Sequence, residues 1–248
     1  MNPPILTTRR LGLILTLSFL LLVSSVAVYG QIQSITTTAI YGVGLSKRLN
    51  VESASAIGGG VEVTLKLSGS YSIGLQAGYA SYSISQTDQL NNWNWNFWND
   101  RYYPKIQSDM RADQNLSAQI GSVQAMDEIP VMLVVHYHAP AGERLGIVPC
   151  VGAGLSFFNR KLYADETWTK QFPQTQYTLT YNLRNFAPPK KGNALVLALG
   201  CDATYRIGGD VNIIAGAHYR SYLSATSGFE EFPLASGFNI KLGLNFLY

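Results

Sequence analysis

Apolar side chains alternate with polar or small ones over the last twelve residues of the chain, and this pattern constrains the segment to an extended conformation. Successive side chains point to opposite faces of a β-strand, whereas a helical face repeats about every 3.6 residues. The sequence therefore predicts a strand at 237–248, with one face polar or small except for Leu247. The other face is wholly apolar and comprises Phe238, Ile240, Leu242, Leu244, Phe246 and Tyr248.

The same alternation recurs in seven segments upstream. Each has about the 9–11 residues that a tilted strand needs to cross a bilayer, and some extend further. No apolar run after residue 30 is long enough for a membrane helix. We therefore predict seven further strands, at 37–45, 59–67, 71–83, 129–138, 145–157, 194–207 and 211–223.

The connections between these strands alternate in length. Short ones lie at 68–70, 139–143 and 208–210, and long ones at 47–56, 86–128, 159–193 and 224–236. Short turns at one end and long loops at the other are the plan of an outer-membrane barrel. Closing the sheet also leaves no unpaired strand edge in lipid. The predicted fold is all-β: an eight-stranded antiparallel up-and-down transmembrane β-barrel.

The first thirty residues read as a cleaved secretory signal peptide. A basic pair, Arg9-Arg10, precedes an apolar run at 11–28, and Gly30 precedes Gln31 at a plausible cleavage site. The alternative is a membrane anchor, because the run approaches the length of about 20 residues that spans a bilayer. We expect residues 1–30 to be the signal peptide and 31–248 to form the barrel.

The charge balance argues against a nucleic-acid partner. Without Arg9 and Arg10, sixteen basic residues face fifteen acidic ones, a net charge near +1, with no basic block. Only 13% of residues are charged, against about 25% in an ordinary soluble domain. A near-neutral chain with so few charges fits a protein that faces lipid.

Two short motifs in the predicted strands resemble those of a known family. The segments 129–133 (Ile-Pro-Val-Met-Leu) and 151–155 (Val-Gly-Ala-Gly-Leu) resemble the small OmpA/OmpX-like outer-membrane β-barrel domain of Gram-negative bacteria. Phe246 and Tyr248 resemble the C-terminal insertion signal of such barrels. The resemblance implies export through the periplasm to the bacterial outer membrane. It also implies contact with outer-membrane lipid and with the barrel-insertion machinery through the last strand, but no sharp function.

Polar residues at the inward positions predict a charged lumen. An eight-stranded barrel is only just wide enough for side chains to fill it, and opposite charges inside should pair. A plugged, salt-bridged lumen is favoured; the alternatives are a narrow or gated pore and a catalytic lumen. A one-residue slip would place these charges on lipid. The predicted network comprises Glu62, Lys66, Gln76, His136, His138, Asp202, Arg206, His218, Arg220 and Lys241.

Metal and catalytic chemistry are not predicted. His136 and His138 share one face, but no cysteine or carboxylate lies close by in sequence to complete a tetrahedral metal site. His218 and Ser221 have opposite parity, so a serine hydrolase site is not evident. We expect no metal, no cofactor and no enzymatic activity. A lipid-modifying enzyme is kept as the least favoured alternative.

The longest loop carries a dense aromatic segment at 91–103. It is interpreted either as an aromatic girdle or self-packed loop, or as a contact surface for glycan, host protein or another envelope protein. Part of it could form a strand extension with Trp93, Trp95 and Phe97 on one face. The candidate contact residues are Trp93, Trp95, Phe97, Trp98, Tyr102 and Tyr103.

The two cysteines have opposite parity on neighbouring predicted strands. Cys150 is expected to face inward and Cys201 outward, so two unpaired thiols are favoured. A bulge at Pro149 would allow a disulfide. Taken together, the sequence predicts a structural or interaction barrel that presents its loops outside the cell. A narrow channel for small solutes is the alternative.

Overall fold

The computed structural model describes residues 32–225 and 228–248, so the predicted signal peptide and its cleavage site lie outside the described residues. The described chain contains ten strands, with helical segments between some of them. The strands are β1 (Ile32–Lys47), β2 (Val51–Ser68), β3 (Tyr71–Gln86), β4 (Leu116–Tyr137), β5 (Ala139–Pro140), β6 (Leu145–Phe172), β7 (Tyr177–Phe186), β8 (Lys190–Gly208), β9 (Val211–Ser224) and β10 (Leu234–Leu247).

Eight of these strands close into a ring, which confirms the predicted fold class. Strands β1 to β4 pair in chain order, and β6, β8, β9 and β10 continue the sheet. Antiparallel pairing of β1 with β10 and of β4 with β6 closes the ring. The two remaining strands, β5 and β7, pair only with β6 among the described residues.

The two ends of the barrel differ, as predicted. At the turn end, tight reversals at 69–70 and 209–210 join β2 to β3 and β8 to β9. At the loop end, β6 and β7 form a long hairpin, and the segment 87–115 connects β3 to β4. The predicted long connection at 47–56 is wrong. The strands run on to a three-residue reversal, where Leu49 and Asn50 adopt left-handed φ angles of 55° and 57°.

The outer face carries an apolar belt between two sets of aromatic residues. The belt includes Leu75, Val131, Val151, Leu199 and Leu242, all well exposed. Aromatic residues at both interfaces of an apolar band are typical of transmembrane barrels. The turn-end set is Tyr71, Tyr137, Tyr205, Phe246 and Tyr248, and the loop-end set is Tyr41, Tyr79, Phe157, Tyr219 and Phe238.

The interior is polar toward the turn end, and toward the loop end it combines large apolar side chains with buried charges at Glu128, Arg160 and Arg220. The buried apolar cluster at the loop end, here called the plug, separates the polar lumen from the loops. Its large members are Tyr82, Met126, Phe158, Tyr222, Phe232 and Leu234.

The segment 87–115 is helical, so the suggested strand extension for Trp93, Trp95 and Phe97 is wrong. It forms α1 (Gln89–Asn92), a π-helical turn (Phe97–Tyr102) and α2 (Tyr103–Ala112). Asn94 has a left-handed φ of 57°, which breaks an extended run. Pro104 lies in the first turn of α2, where a missing N–H costs nothing.

This helical segment packs against the extensions of β4 and β6. Together they form a second buried apolar cluster, here called the cap. Among the described residues, no helix is long and apolar enough to cross a membrane.

Close strand contact at Gly154 provides a test of the β4–β6 register. A Cβ at this position would lie 2.1 Å from the Val131 carbonyl oxygen and 2.6 Å from the Met132 Cα. Because backbone atoms cannot easily move aside, Gly154→Ala should destabilise the protein by about 1–3 kcal/mol. The measurement is the urea unfolding midpoint of the protein in lipid vesicles.

Gly121→Ala is the matched control on the same strand pair. A Cβ there meets only the Asp165 carbonyl oxygen, at 3.8 Å, so the change should stay within about 0.5 kcal/mol. Equal unfolding midpoints for the two variants would contradict the register.

Candidate functional site: the lumen and the cap

Two carboxylates organise the polar lumen. Glu62 on β2 lies 2.5 Å from Nε2 of His136 on β4. Asp202 on β8 contacts Nε2 of His218 at 2.7 Å and the Lys241 ammonium at 2.8 Å. Both carboxylates are buried, so these partners compensate charges that would otherwise be costly to bury.

Glycines on neighbouring strands make room for this network. A Cβ at Gly74 would lie 2.4 Å from Oε1 of Glu62, and one at Gly216 would lie 1.8 Å from Oδ1 of Asp202. At Gly200 a Cβ would lie 2.3 Å from Nδ1 of His218. The missing side chains thus fix where each polar group fits in the narrow lumen.

The predicted lumen residues differ in burial. Glu62, His136, Asp202, Arg220 and Lys241 are buried, and Gln76, His138 and His218 are half-buried. Lys66 and Arg206 are exposed at the turn end, because their strands reach beyond the closed interior. The structure therefore brings eight of the ten predicted side chains inside and leaves these two outside the buried network.

The open space in the lumen lies on the turn-end side. A cavity of about 270 Å³ is lined by Glu62, His136, Asp202, Lys241 and the smaller polar residues around them. Beyond it, beside Gln76 and Arg220, only about 10 Å³ is free. That volume is about what a single water molecule requires.

The connection between β9 and β10 supplies the central ring of the plug. Phe232 is fully buried, with its ring 4.7 Å from that of Tyr222 and 5.0 Å from that of Phe158. Phe229 contributes a stacked ring on the loop side, and the Arg48 guanidinium lies 4.1 Å above it. Aromatic rings from several elements thus fill the mouth of the barrel.

A charged cluster joins the plug to the cap. The Trp93 ring lies beneath Arg160 at 4.8 Å and Lys190 at 5.0 Å. Lys190 pairs with Glu231 at 2.8 Å, and Arg160 donates to the Glu231 carbonyl oxygen at 2.8 Å. Burial lowers the pKa of Arg160 to about 10, so the guanidinium stays charged at neutral pH. Sequence reasoning did not identify this cluster.

The buried carboxylate of Glu166 holds the cap together. It accepts hydrogen bonds from the Trp168 indole at 2.7 Å, the Asn185 amide at 2.6 Å and the Tyr102 hydroxyl at 3.2 Å. The only feature of the sequence that indicates an inward position for Glu166 is its place in the alternation of β6. The prediction of a loop at 159–193 is wrong, because this segment is mostly the β6–β7 hairpin, and so the position of Glu166 was not predicted.

The candidate contact aromatics fall into two groups. Trp93, Trp95 and Trp98 are buried in the cap, as a self-packed loop requires. Tyr102 is half-buried, whereas Phe97 and Tyr103 are exposed. Of these candidates, only the last two are exposed, by 49% and 40%.

One face of β7 continues the apolar surface of the cap and is exposed to solvent. It is the face that also carries Trp168 of β6, whose ring stacks on that of Tyr181 at 6.3 Å. Among the described residues, β7 pairs only with β6, so its outer edge is free. This exposed face forms a surface suited to apolar contact, here called the β7 surface. It comprises Tyr177, Leu179, Tyr181 and Leu183.

Serine and carboxylate partners contact different histidines. Ser72 lies 2.7 Å from Nε2 of His138, while the carboxylates contact His136 and His218. Ser156 donates to Glu128 at 2.5 Å. The lumen thus contains serine–histidine and histidine–carboxylate pairs as separate contacts.

The two cysteines are free, as their parity predicted. Cys201 is exposed on the outer face, and Cys150 is buried inside, with Sγ 3.8 Å from Nδ1 of His218. Neighbouring strands bring Cys150 close to His136 and Asp202, a proximity that spacing along the chain does not reveal.

Comparison with solved structures finds outer-membrane proteins of low sequence identity. No protein-family model and no curated protein matches the chain. A major outer membrane protein from Thermus thermophilus is 13% identical, with 86% of this chain and 99% of that chain covered and a TM-score of 0.43. Neisserial surface protein A is 10% identical, with coverages of 88% and 99% and a TM-score of 0.44. The attachment invasion locus protein Ail of Yersinia pestis is 8% identical, with coverages of 88% and 100% and a TM-score of 0.35.

Removal of the Trp93 ring should loosen the cap without unfolding the barrel. Trp93→Ala deletes a buried ring, which costs about 3–5 kcal/mol, and it removes the platform for Arg160 and Lys190. Limited proteolysis within 87–115 should therefore become at least about 100-fold faster, since each 1.4 kcal/mol is about a factor of ten.

Phe97→Ala is the matched control, because that ring is 49% exposed. Similar cleavage rates for the two variants would show that Trp93 does not hold the cap. An unchanged far-ultraviolet circular dichroism spectrum would establish that the strands of the barrel remain intact.

Proposed function

We propose that the chain is an outer-membrane β-barrel of Gram-negative bacteria with a structural or interaction role. It anchors in the membrane, keeps its lumen closed and presents the cap outside the cell. The observation that carries this proposal is the plug, in which Phe232 and Leu234 are fully buried across the mouth of the lumen.

The proposed location rests on the outer face of the barrel. An apolar belt bounded by aromatic residues on a closed sheet satisfies the requirements of a hydrocarbon environment. Export through the periplasm would precede insertion, with β10 engaging the barrel-insertion machinery. Support for that role comes from the outward position of Phe246 and Tyr248 at the end of β10.

The proposed interaction role rests on the β7 surface. Exposed apolar side chains on a free strand edge are features that proteins usually cover. Tyr177, Leu179, Tyr181 and Leu183 are each at least 40% exposed. We propose contacts with envelope or surface partners there rather than through the buried tryptophans. A catalytic role is not proposed, and neither is a nucleic-acid partner.

Planar-bilayer recording of the purified protein tests the closed lumen. The wild-type protein should show no steady stepwise current, because the plug excludes a continuous column of water. Removing two large plug side chains together, as Phe232→Ala with Leu234→Ala, should produce measurable conductance.

The matched control is Ile240→Ala with Leu242→Ala on the outer face, where the side chains are 55% and 60% exposed. These changes remove similar apolar volume without touching the lumen, so the bilayer should stay silent. Steady stepwise currents from the wild-type protein would instead favour the alternative, a narrow channel for small solutes. The polar cavity of about 270 Å³ is the observation that supports this alternative.

A further inference from the structure

Three metal-ligand types meet inside the barrel. One ring nitrogen of His136, Sγ of Cys150 and a carboxylate oxygen of Asp202 all lie within 4.8 Å of one another. The three side chains are buried and come from the neighbouring strands β4, β6 and β8. His136 and Cys150 are direct partners in the β4–β6 register, so the sheet itself fixes their proximity.

We propose that the lumen binds a divalent transition-metal ion, best matched by Zn²⁺, through His136, Cys150 and Asp202. Imidazole, thiolate and carboxylate are all ligands that zinc accepts in tetrahedral sites. Zinc–ligand bonds of about 2.0–2.3 Å place tetrahedral ligand atoms about 3.3–3.6 Å apart, so the three atoms need to approach one another by at most about 1.5 Å on binding.

Contacts around the three ligands are those expected of a supported metal site. Glu62 holds the His136 ring at 2.5 Å, and His218 and Lys241 hold Asp202 at 2.7 and 2.8 Å. Such outer contacts orient the ligands and are part of most protein metal sites. His218 lies beside Cys150 as well, at 3.8 Å from Sγ. Binding releases the thiol proton of Cys150, because only the thiolate coordinates the metal.

The cavity at the turn end supplies a route to the site. His136 and Asp202 line it, and its volume of about 270 Å³ leaves room for water as a fourth ligand. Three glycines, Gly74, Gly200 and Gly216, leave the space that the surrounding side chains occupy. Metal binding is independent of the proposed interaction role, since it involves the opposite end of the barrel from the cap.

Metal titration tests the proposal. The purified, untagged protein in detergent is first treated with a chelator to remove bound metal and is then titrated. Isothermal titration should show one equivalent of Zn²⁺. Co²⁺ should give visible bands of a tetrahedral site and a near-ultraviolet sulfur-to-cobalt charge-transfer band. Cys150→Ala should abolish that band and weaken zinc binding at least about 100-fold, and Glu62→Gln should weaken it about 10–100-fold.

Cys201→Ala is the matched control, because this thiol lies on the outer face and cannot reach the lumen. Its cobalt spectrum and zinc affinity should equal those of the wild-type protein. In the same variant, Zn²⁺ should slow alkylation of Cys150 by a small thiol reagent.

The wild-type cobalt spectrum decides the proposal even if Cys150→Ala fails to fold. A wild-type protein that binds Co²⁺ without a sulfur band, or that binds no stoichiometric zinc, would overturn the assignment. Loss of the band in Cys201→Ala would overturn it as well, because the metal would then lie on the outer surface.

Discussion

Backbone hydrogen bonding is the constraint on which the rest of the structure depends. A chain in hydrocarbon has no water to satisfy its N–H and C=O groups, and each unpaired group costs several kcal/mol. The barrel meets this requirement through two closing seams, β1 with β10 and β4 with β6. Closure with eight strands in turn fixes a narrow interior, which side chains can fill.

The narrow interior explains the division of the lumen. Charged groups fit at the turn end only because glycines such as Gly216 leave space beside them. Toward the loop end, larger rings around Phe232 exclude water. The cap then continues the apolar packing beyond the barrel, with the Arg160 and Trp93 contact joining the two clusters. One molecule thus combines a polar cavity open at one end with a closed, aromatic-rich opposite end.

Alternation in the sequence predicted which face each side chain takes, but not which inward residues meet. Lys241 lies inside and Leu242 outside, as period two requires. The Glu62–His136 contact joins residues 74 positions apart, and it depends on strand register. Cys150 and His136 likewise become neighbours only through β4–β6 pairing, so their spacing along the chain does not show that they lie close together.

The alternation of apolar and polar residues also failed to predict the ends of the strands and the structure of the cap. Beyond the belt, the alternating apolar residues move from the outward to the inward face, where Leu116, Ala118 and Ile120 on β4 and Leu162 and Ala164 on β6 pack in the cap. The predicted strands follow the outward apolar face, so they stop short of these extensions. The helical segment at 87–115 depends on a left-handed turn at Asn94 and on tertiary packing against β6, which local periodicity does not encode.

The lipid-facing belt is tested most directly by spin labels placed one at a time along β10 in lipid vesicles. Labels at 240, 242 and 244 should collide readily with oxygen, which concentrates in hydrocarbon, and labels at 239, 241 and 243 should be protected from it. Accessibility should therefore oscillate with a period of two residues. Uniform accessibility along the strand, or high access of a water-soluble relaxation agent at 242, would contradict a membrane-spanning barrel.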